Sequence, residues 1–225
     1  MAYNDFSAES PENYEQKCLC VLVLDVSFSM QGNPIDELQK GLEDFYSDIL
    51  EDSTTANRLE VSIITFGSNI SILIEPSLAE NFSVPNLTLD GSTKLVDGVR
   101  EGIAKVEDRK QWYKDTGQPY YRPWVILITD GEPDSDQDVD GLSKEIRVSV
   151  ENKKFFFFAI GVEGANMDTL KKISSTQMPP SKLQGLKFSE FFKWLSASMT
   201  IVTSSKDGDQ VNLPSPEDWM TGFKV

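Results

Sequence analysis

The sequence predicts an α/β three-layer sandwich, with a mainly parallel central sheet, helices on both faces and one antiparallel edge strand. Three observations carry that prediction. Near-continuous apolar runs at Cys18 to Val26 and Phe155 to Val162 read as strands buried on both faces, as in the middle of a parallel sheet. Stretches with a 3.6-residue apolar period lie between the strands, so strands alternate with helices. A three-residue break, Gly67-Ser68-Asn69, separates two extended segments and reads as an antiparallel hairpin.

Taken in order, a polar lead-in from Met1 to Gln16 precedes the first strand, and Ser27 to Asn33 forms a loop. Pro34 then opens a helix where its missing N–H costs nothing. Ile35, Leu38, Leu42, Phe45, Ile49 and Leu50 give that helix one face on the sheet. The hairpin follows, with strands at Leu59 to Phe66 and Ile70 to Glu75. A polar stretch containing Pro76 and Pro85 leads to Asp90-Gly91-Ser92-Thr93. Leu95, Val99, Ile103 and Val106 mark a second helix running toward Trp112, and Pro119 and Pro123 end it. The strand Trp124 to Thr129 follows and finishes in Asp130-Gly131. A third helix spans roughly Val139 to Asn152, a short one Met167 to Ser175, and a last amphipathic one Phe188 to Val202. Lys182 to Leu186 reads as an edge strand. One domain is expected over residues 17–203, with the lead-in 1–16 before it and a polar tail 204–225 packed on it. Trp219 and Phe223 in that tail either cover the domain's own edge or dock another chain.

Composition excludes several functions. Among 225 residues, 21 basic against 36 acidic side chains leave a formal charge of −15. A surface so acidic repels phosphate backbones, so nucleic acid is not an expected partner. The longest unbroken apolar run, Cys18 to Leu24, is too short for a membrane span of about 20 residues. No histidine is present, which excludes Ser-His-Asp and Cys-His catalysis and histidine zinc sites. Cys18 and Cys20 lie two apart on one face of a strand, where a disulfide would be strained; they read as buried thiols. With no export signal in the lead-in, a reducing cytoplasm is the expected compartment.

In a parallel sheet with right-handed crossovers, ligands bind outside the carboxyl ends of the strands, at the switch point. Three polar loops end there: Asp25-Val26-Ser27-Phe28-Ser29, Gly91-Ser92-Thr93 and Thr129-Asp130-Gly131. If the first strand neighbours the strand 124–129, two carboxylates and three hydroxyls share one crevice. Alone, Asp25, Ser27 and Ser29 read equally well as turn chemistry. With Thr93 and Asp130 added, metal ligation is the better reading. Two close carboxylates without a cation repel each other, and a divalent ion removes the repulsion. Hydroxyl and carboxylate oxygens are hard ligands, so Mg2+ is expected, with Mn2+ or Ca2+ as alternatives.

In these residues the sequence resembles the von Willebrand factor type A domain with its metal-ion-dependent adhesion site. The resemblance runs from Cys18 to about Val202. It rests on Asp25-x-Ser27-x-Ser29, the G-x-T threonine Thr93, Ile128-Thr129-Asp130-Gly131 and Gly161-Val162, all in the family's order. It implies a Rossmann-like fold in which Ser27, Ser29 and Thr93 touch the metal while Asp25 and Asp130 act largely through water. It also implies capture of an Asp or Glu from a protein partner, with no membrane or nucleic acid involved. The Ser-Met-x-Gly-x-Pro-Ile stretch is similar to a bacterial subgroup associated with tellurium resistance and stress response. Asp90 departs from the family's small or neutral residue; it either tunes the ion or faces solvent, the second being preferred.

Other readings are weaker. Asp136-x-Asp138-x-Asp140-Gly141 matches half a calcium loop, but Arg147 stands where the closing Glu belongs. The acids from Asp130 to Asp140 are better explained at a helix N-terminus beside the cleft. Phe155 to Phe158 read as a buried strand rather than a ligand site. No phosphate-cradling glycine loop exists, and Ser27 replaces the second acid of a D-x-D phosphatase, so no catalytic residues are assigned. A metal-dependent hydrolase using the same cleft is the alternative function.

Overall fold

The first strand, β1 (Cys18–Asp25), is buried along its whole length because it has a helical layer on each side. Its even-numbered residues Cys18, Cys20, Leu22 and Leu24 join one apolar cluster; Leu19, Val21 and Val23 join the other. This period-two division follows from strand geometry. The computed structural model describes residues 11–206 and 209–221, so Phe223 and most of the lead-in lie outside the described residues. After β1 come α1 (Asn33–Glu51), α2 (Ser53–Arg58), β2 (Leu59–Phe66), β3 (Ile70–Leu78) and α3 (Leu95–Thr116). The chain continues with β4 (Trp124–Thr129), α4 (Val139–Glu151), β5 (Phe156–Gly161), α5 (Met167–Ile173), β6 (Ser181–Leu183), α6 (Phe188–Ser204) and β7 (Met220–Thr221).

The sheet runs in the order β3-β2-β1-β4-β5-β6-β7. β1 pairs in parallel with β2 and β4, and β4 with β5 and β5 with β6 do the same. β3 is antiparallel through the hairpin at Gly67 to Asn69. Residues from α1 and α6 fill one face of the sheet, and residues from α3, α4 and α5 fill the other. The fold is thus the expected α/β three-layer sandwich. Among the described residues no helix is long and apolar enough to cross a membrane.

Several local expectations need correction. Leu50 is exposed and Ile49 alone carries the end of the α1 face. β3 continues through Pro76 to Leu78; as an edge strand it tolerates a proline that donates no ladder bond. β6 is not an edge, because β7 pairs beyond it through Leu183 and Met220. Phe155 and Phe157 are fully buried, but Phe156 and Phe158 on the other face are only half-buried, against Trp124. The polar α2 has no apolar period. It is held by its Asp52 cap, whose Oδ1 accepts from Thr55 N at 2.7 Å, and by Thr55, buried against Thr200 and Thr203 of α6. In the tail, Trp219 is buried against Phe191 and Trp194. Cys18 and Cys20 are buried free thiols, and burial pushes the Cys18 thiol up to about 12.

Candidate metal centre

β1 and β4 lie side by side in register, Leu24 opposite Ile128, so their carboxyl ends open into the crevice where the strand order reverses. Asp25 is the last residue of β1 and is fully buried. Its Oδ1 accepts the Ser27 amide at 2.9 Å, and its Oδ2 accepts the Thr129 hydroxyl at 2.5 Å. A 3₁₀ turn at Phe28–Met30 then brings Ser29 back, with its Oγ 2.9 Å from Ser27 Oγ. From the neighbouring strand end, Asp130 Oδ1 accepts the Ser29 hydroxyl at 2.7 Å. Asp25, Ser27, Ser29 and Asp130 therefore form one connected group.

Thr93 completes the ring from the third loop. A Cβ added at Gly131 would lie 3.5 Å from Thr93 Oγ1 and 3.6 Å from Asp25 Oδ2, so both oxygens border the same small space. Thr93 is fixed by Asp134, which in the sequence is one of the acids grouped at the helix N-terminus. Asp134 Oδ1 accepts Thr93 N at 3.1 Å, and Thr93 O accepts Asp134 N at 3.0 Å. Its short spacing after the Thr129-Asp130-Gly131 strand end was the available signal. Two further acids of that run have ordinary partners. Asp138 caps α4 and pairs with Arg100 at 3.0 Å, and Asp140 pairs with Lys172 at 2.8 Å. Among the described residues, no group of three or more carboxylates or cysteines is placed to hold an ion.

The Asp90 carboxylate makes solvent-exposed hydrogen bonds to the β2–β3 turn, and none is described to Asp25, Ser27, Ser29, Thr93 or Asp130. The residue is half-buried, and its Oδ2 accepts from Asn69 N at 2.8 Å and Asn69 Nδ2 at 3.2 Å. The β2–β3 turn is pressed so closely on this loop that a Cβ at Gly67 would sit 1.9 Å from Asp90 O, a backbone atom. Gly67→Ala should therefore cost about 1–3 kcal/mol of unfolding free energy, as overpacking does. Urea denaturation checks it; an unchanged midpoint would mean the turn yields freely.

The electrostatics favour a bound cation. Burial, reinforced by the neighbouring Asp130 charge, pushes the Asp25 carboxyl up to about 6 despite hydrogen bonds from Ser27 and Thr129. Burial also raises Asp130, against the Ser29 hydrogen bond. No described lysine or arginine pairs with either carboxylate, and the Thr93 hydroxyl, in a residue 9% exposed, has no described hydrogen-bond partner. Two carboxylates without a described cationic partner and three hydroxyl oxygens are a donor set that suits a hard divalent ion.

Sheet order, layers and an oxygen-lined crevice at the switch point define the class, a Rossmann-like α/β module with its site at the carboxyl edge. The von Willebrand factor type A domain family model matches residues 20–193, and the chain belongs to that family. Two von Willebrand factor A domain-containing proteins of Dictyostelium discoideum are 24% and 27% identical to it, over 77% and 71% of its length. The chain spans only 19% and 16% of those relatives. Among solved structures it resembles the pilus adhesin SpaC of Lactobacillus rhamnosus GG (TM-score 0.68, 15% identity, 86% of this chain and 32% of that one). It also resembles proximal thread matrix protein 1 of the mussel byssus, solved with a zinc-occupied MIDAS motif (TM-score 0.55, 18% identity, 85% and 46% covered). Likeness at such identities speaks for the fold alone.

Proposed function

We propose that this domain is a non-enzymatic, metal-dependent protein-binding module. A divalent ion, Mg2+ in the first instance, is held by Ser27, Ser29 and Thr93 directly and by Asp25 and Asp130 largely through water. It takes an Asp or Glu carboxylate of a protein partner as its remaining ligand. The observation that carries this reading is the meeting, at the switch point, of the buried Asp25 and half-buried Asp130 carboxylates, neither paired with a described lysine or arginine, with a Thr93 hydroxyl that has no described partner. The pilus adhesin and the zinc-bearing byssus protein among its structural relatives support it. A carboxylate bound to an ion in a partly closed crevice is a charge-assisted contact, able to fix one partner residue. Around the centre, Phe28 is 65% exposed and Glu132 and Asp136 are exposed acids, so basic residues flanking the captured carboxylate suit the rim. A cytoplasmic setting fits the buried thiols, which need no oxidising compartment. The likeness to the tellurium-resistance subgroup extends the reading to a stress-response complex.

The test has two arms. Mn2+ titrated into EDTA-treated protein, followed by the paramagnetic signal of the free ion, should reveal one site, weakened about 10–100-fold in Thr93→Ala. Immobilised protein should then retain a partner from lysate of the source organism in Mg2+, and lose it in EDTA and in Asp130→Ala. Equal recovery under all three conditions would overturn the binding function. Absence of Mn2+ binding would overturn the metal centre itself.

A further inference from the structure

We infer that the β2–β3 turn is a second support, beside Asp134, of the Thr93 loop in the candidate metal centre, with Asp90 and Ser68 as the positioning residues that clasp it to that loop; this rests on the metal reading above. The two side chains cross between turn and loop in opposite directions. From the loop, Asp90 Oδ2 accepts Asn69 N at 2.8 Å and Asn69 Nδ2 at 3.2 Å. From the turn, Ser68 Oγ accepts Ser92 N at 2.9 Å. Backbone bonds run alongside, Ser68 N to Asp90 O at 2.6 Å and Lys94 N to Gly67 O at 3.0 Å. Together they bracket Gly91, Ser92 and Thr93 from both ends.

The same loop also reaches the first ligand-bearing segment. Asp90 N donates to Val26 O at 2.7 Å, and Phe28 N donates to Gly91 O at 3.0 Å. Gly91 adopts φ 61°, and a Cβ there would meet Ser68 Oγ at 2.0 Å. The turn is therefore seated against a loop that needs glycine at the contact. Thr93 has no helix or strand of its own, since α3 begins at Leu95. Its position depends on Asp134 on one side and on the clasp on the other. A ligand on a loop keeps its affinity only if neighbouring hydrogen bonds fix it, and losing such support weakens a metal about 10–100-fold. Asp90 works here as a hydrogen-bond acceptor aimed at the turn, so its charge is dispensable.

Mn2+ binding to the full chain, measured as above, tests this with Asp90→Ala, Ser68→Ala, the double variant and Asp90→Asn. The double variant should bind about tenfold more weakly. Asp90→Asn, which keeps an acceptor for Asn69 N, should stay within twofold of the parent. Amide exchange in EDTA gives a metal-free readout, with faster exchange at Thr93 and Lys94 in Asp90→Ala even if the double variant folds poorly. Binding within twofold in the folded alanine variants overturns the clasp. So does Asp90→Asn binding as weakly as Asp90→Ala, which would assign the effect to charge. A parent protein that binds no Mn2+ at all overturns the metal reading instead, a result distinguishable from either.

Discussion

Asp25→Asn should make the metal-free protein more heat-stable and, in the same step, deprive it of its cation response. In the parent, the Asp25 carboxyl is raised from 3.8 to about 6, chiefly because it is buried, with Asp130 adding to the effect. A folded-state value above the unfolded one means that the folded protein holds this proton longer. The resulting penalty is absent below about pH 4, grows between about pH 4 and 6, and is constant above that. A shift of that size corresponds to about 3 kcal/mol at most. The amide keeps the hydrogen bonds from Ser27 and Thr129 imperfectly, so a gain of about 1–2 kcal/mol at pH 7.5 in EDTA is expected. In excess Mg2+ the order reverses. An ion at 100 times its dissociation constant stabilises the parent by about 2.7 kcal/mol, and the variant gains little of this. Thermal melts of both proteins, with EDTA and with Mg2+, from pH 4 to 8, read all of this. A variant less stable in EDTA at every pH would show that the carboxylate's hydrogen bonds outweigh its desolvation.

Glu60→Ala should be the most damaging single change to stability, at about 3–5 kcal/mol. Glu60 lies on β2 and is 2% exposed, facing Arg109 of α3 at 5%. The pair is bidentate, Arg109 Nε to Glu60 Oε2 and Arg109 Nη2 to Glu60 Oε1, both at 2.8 Å. The Tyr113 hydroxyl donates to Glu60 Oε2 at 2.6 Å, and the Arg109 guanidinium lies 3.9 Å over the Trp112 ring. Removing the carboxylate deprives a buried guanidinium and a fully buried phenol of their shared acceptor. Glu60→Gln should lose less, since it keeps one acceptor. Mn2+ affinity should not change. Glu60 is near the amino end of β2, and the candidate metal centre lies beyond its other end, about 20 Å away at the strand rise. Chemical denaturation measures the loss, and a cost under about 1 kcal/mol would mean the pair barely offsets its own desolvation.

Neither Glu60 nor Arg109 was visible as a partner in the sequence. Glu60 sits between Leu59 and Val61 in a strand, Arg109 lies on a helix, and only the packing of α3 on β2 joins them. The same limit explains Asp90 and Asp134. Each looks like an acid beside a loop, and what each accepts from depends on a turn or a strand end far along the chain. β7 and α2 escaped for another reason. A two-residue ladder and a six-residue polar helix carry no apolar period, and their stability comes from pairing with β6 and from packing on α6. By contrast, β1, β2, β4, α1 and α3 were legible to within a residue or two at most boundaries, because burial on one or two faces writes itself into the spacing of Leu, Val and Ile.

By itself the sequence determined the layers, the strand–helix alternation and the residue types at two strand ends and in the loop before α3, since those follow from local hydrophobic pattern and turn chemistry. The tertiary structure decided that β1 and β4 are neighbours, which brings dispersed oxygens together around the buried Asp25 carboxylate. It also decided which acids join that group, which cap helices and which accept hydrogen bonds between loops. Proximity between distant segments is set by how whole elements pack, and no residue's own chemistry encodes it.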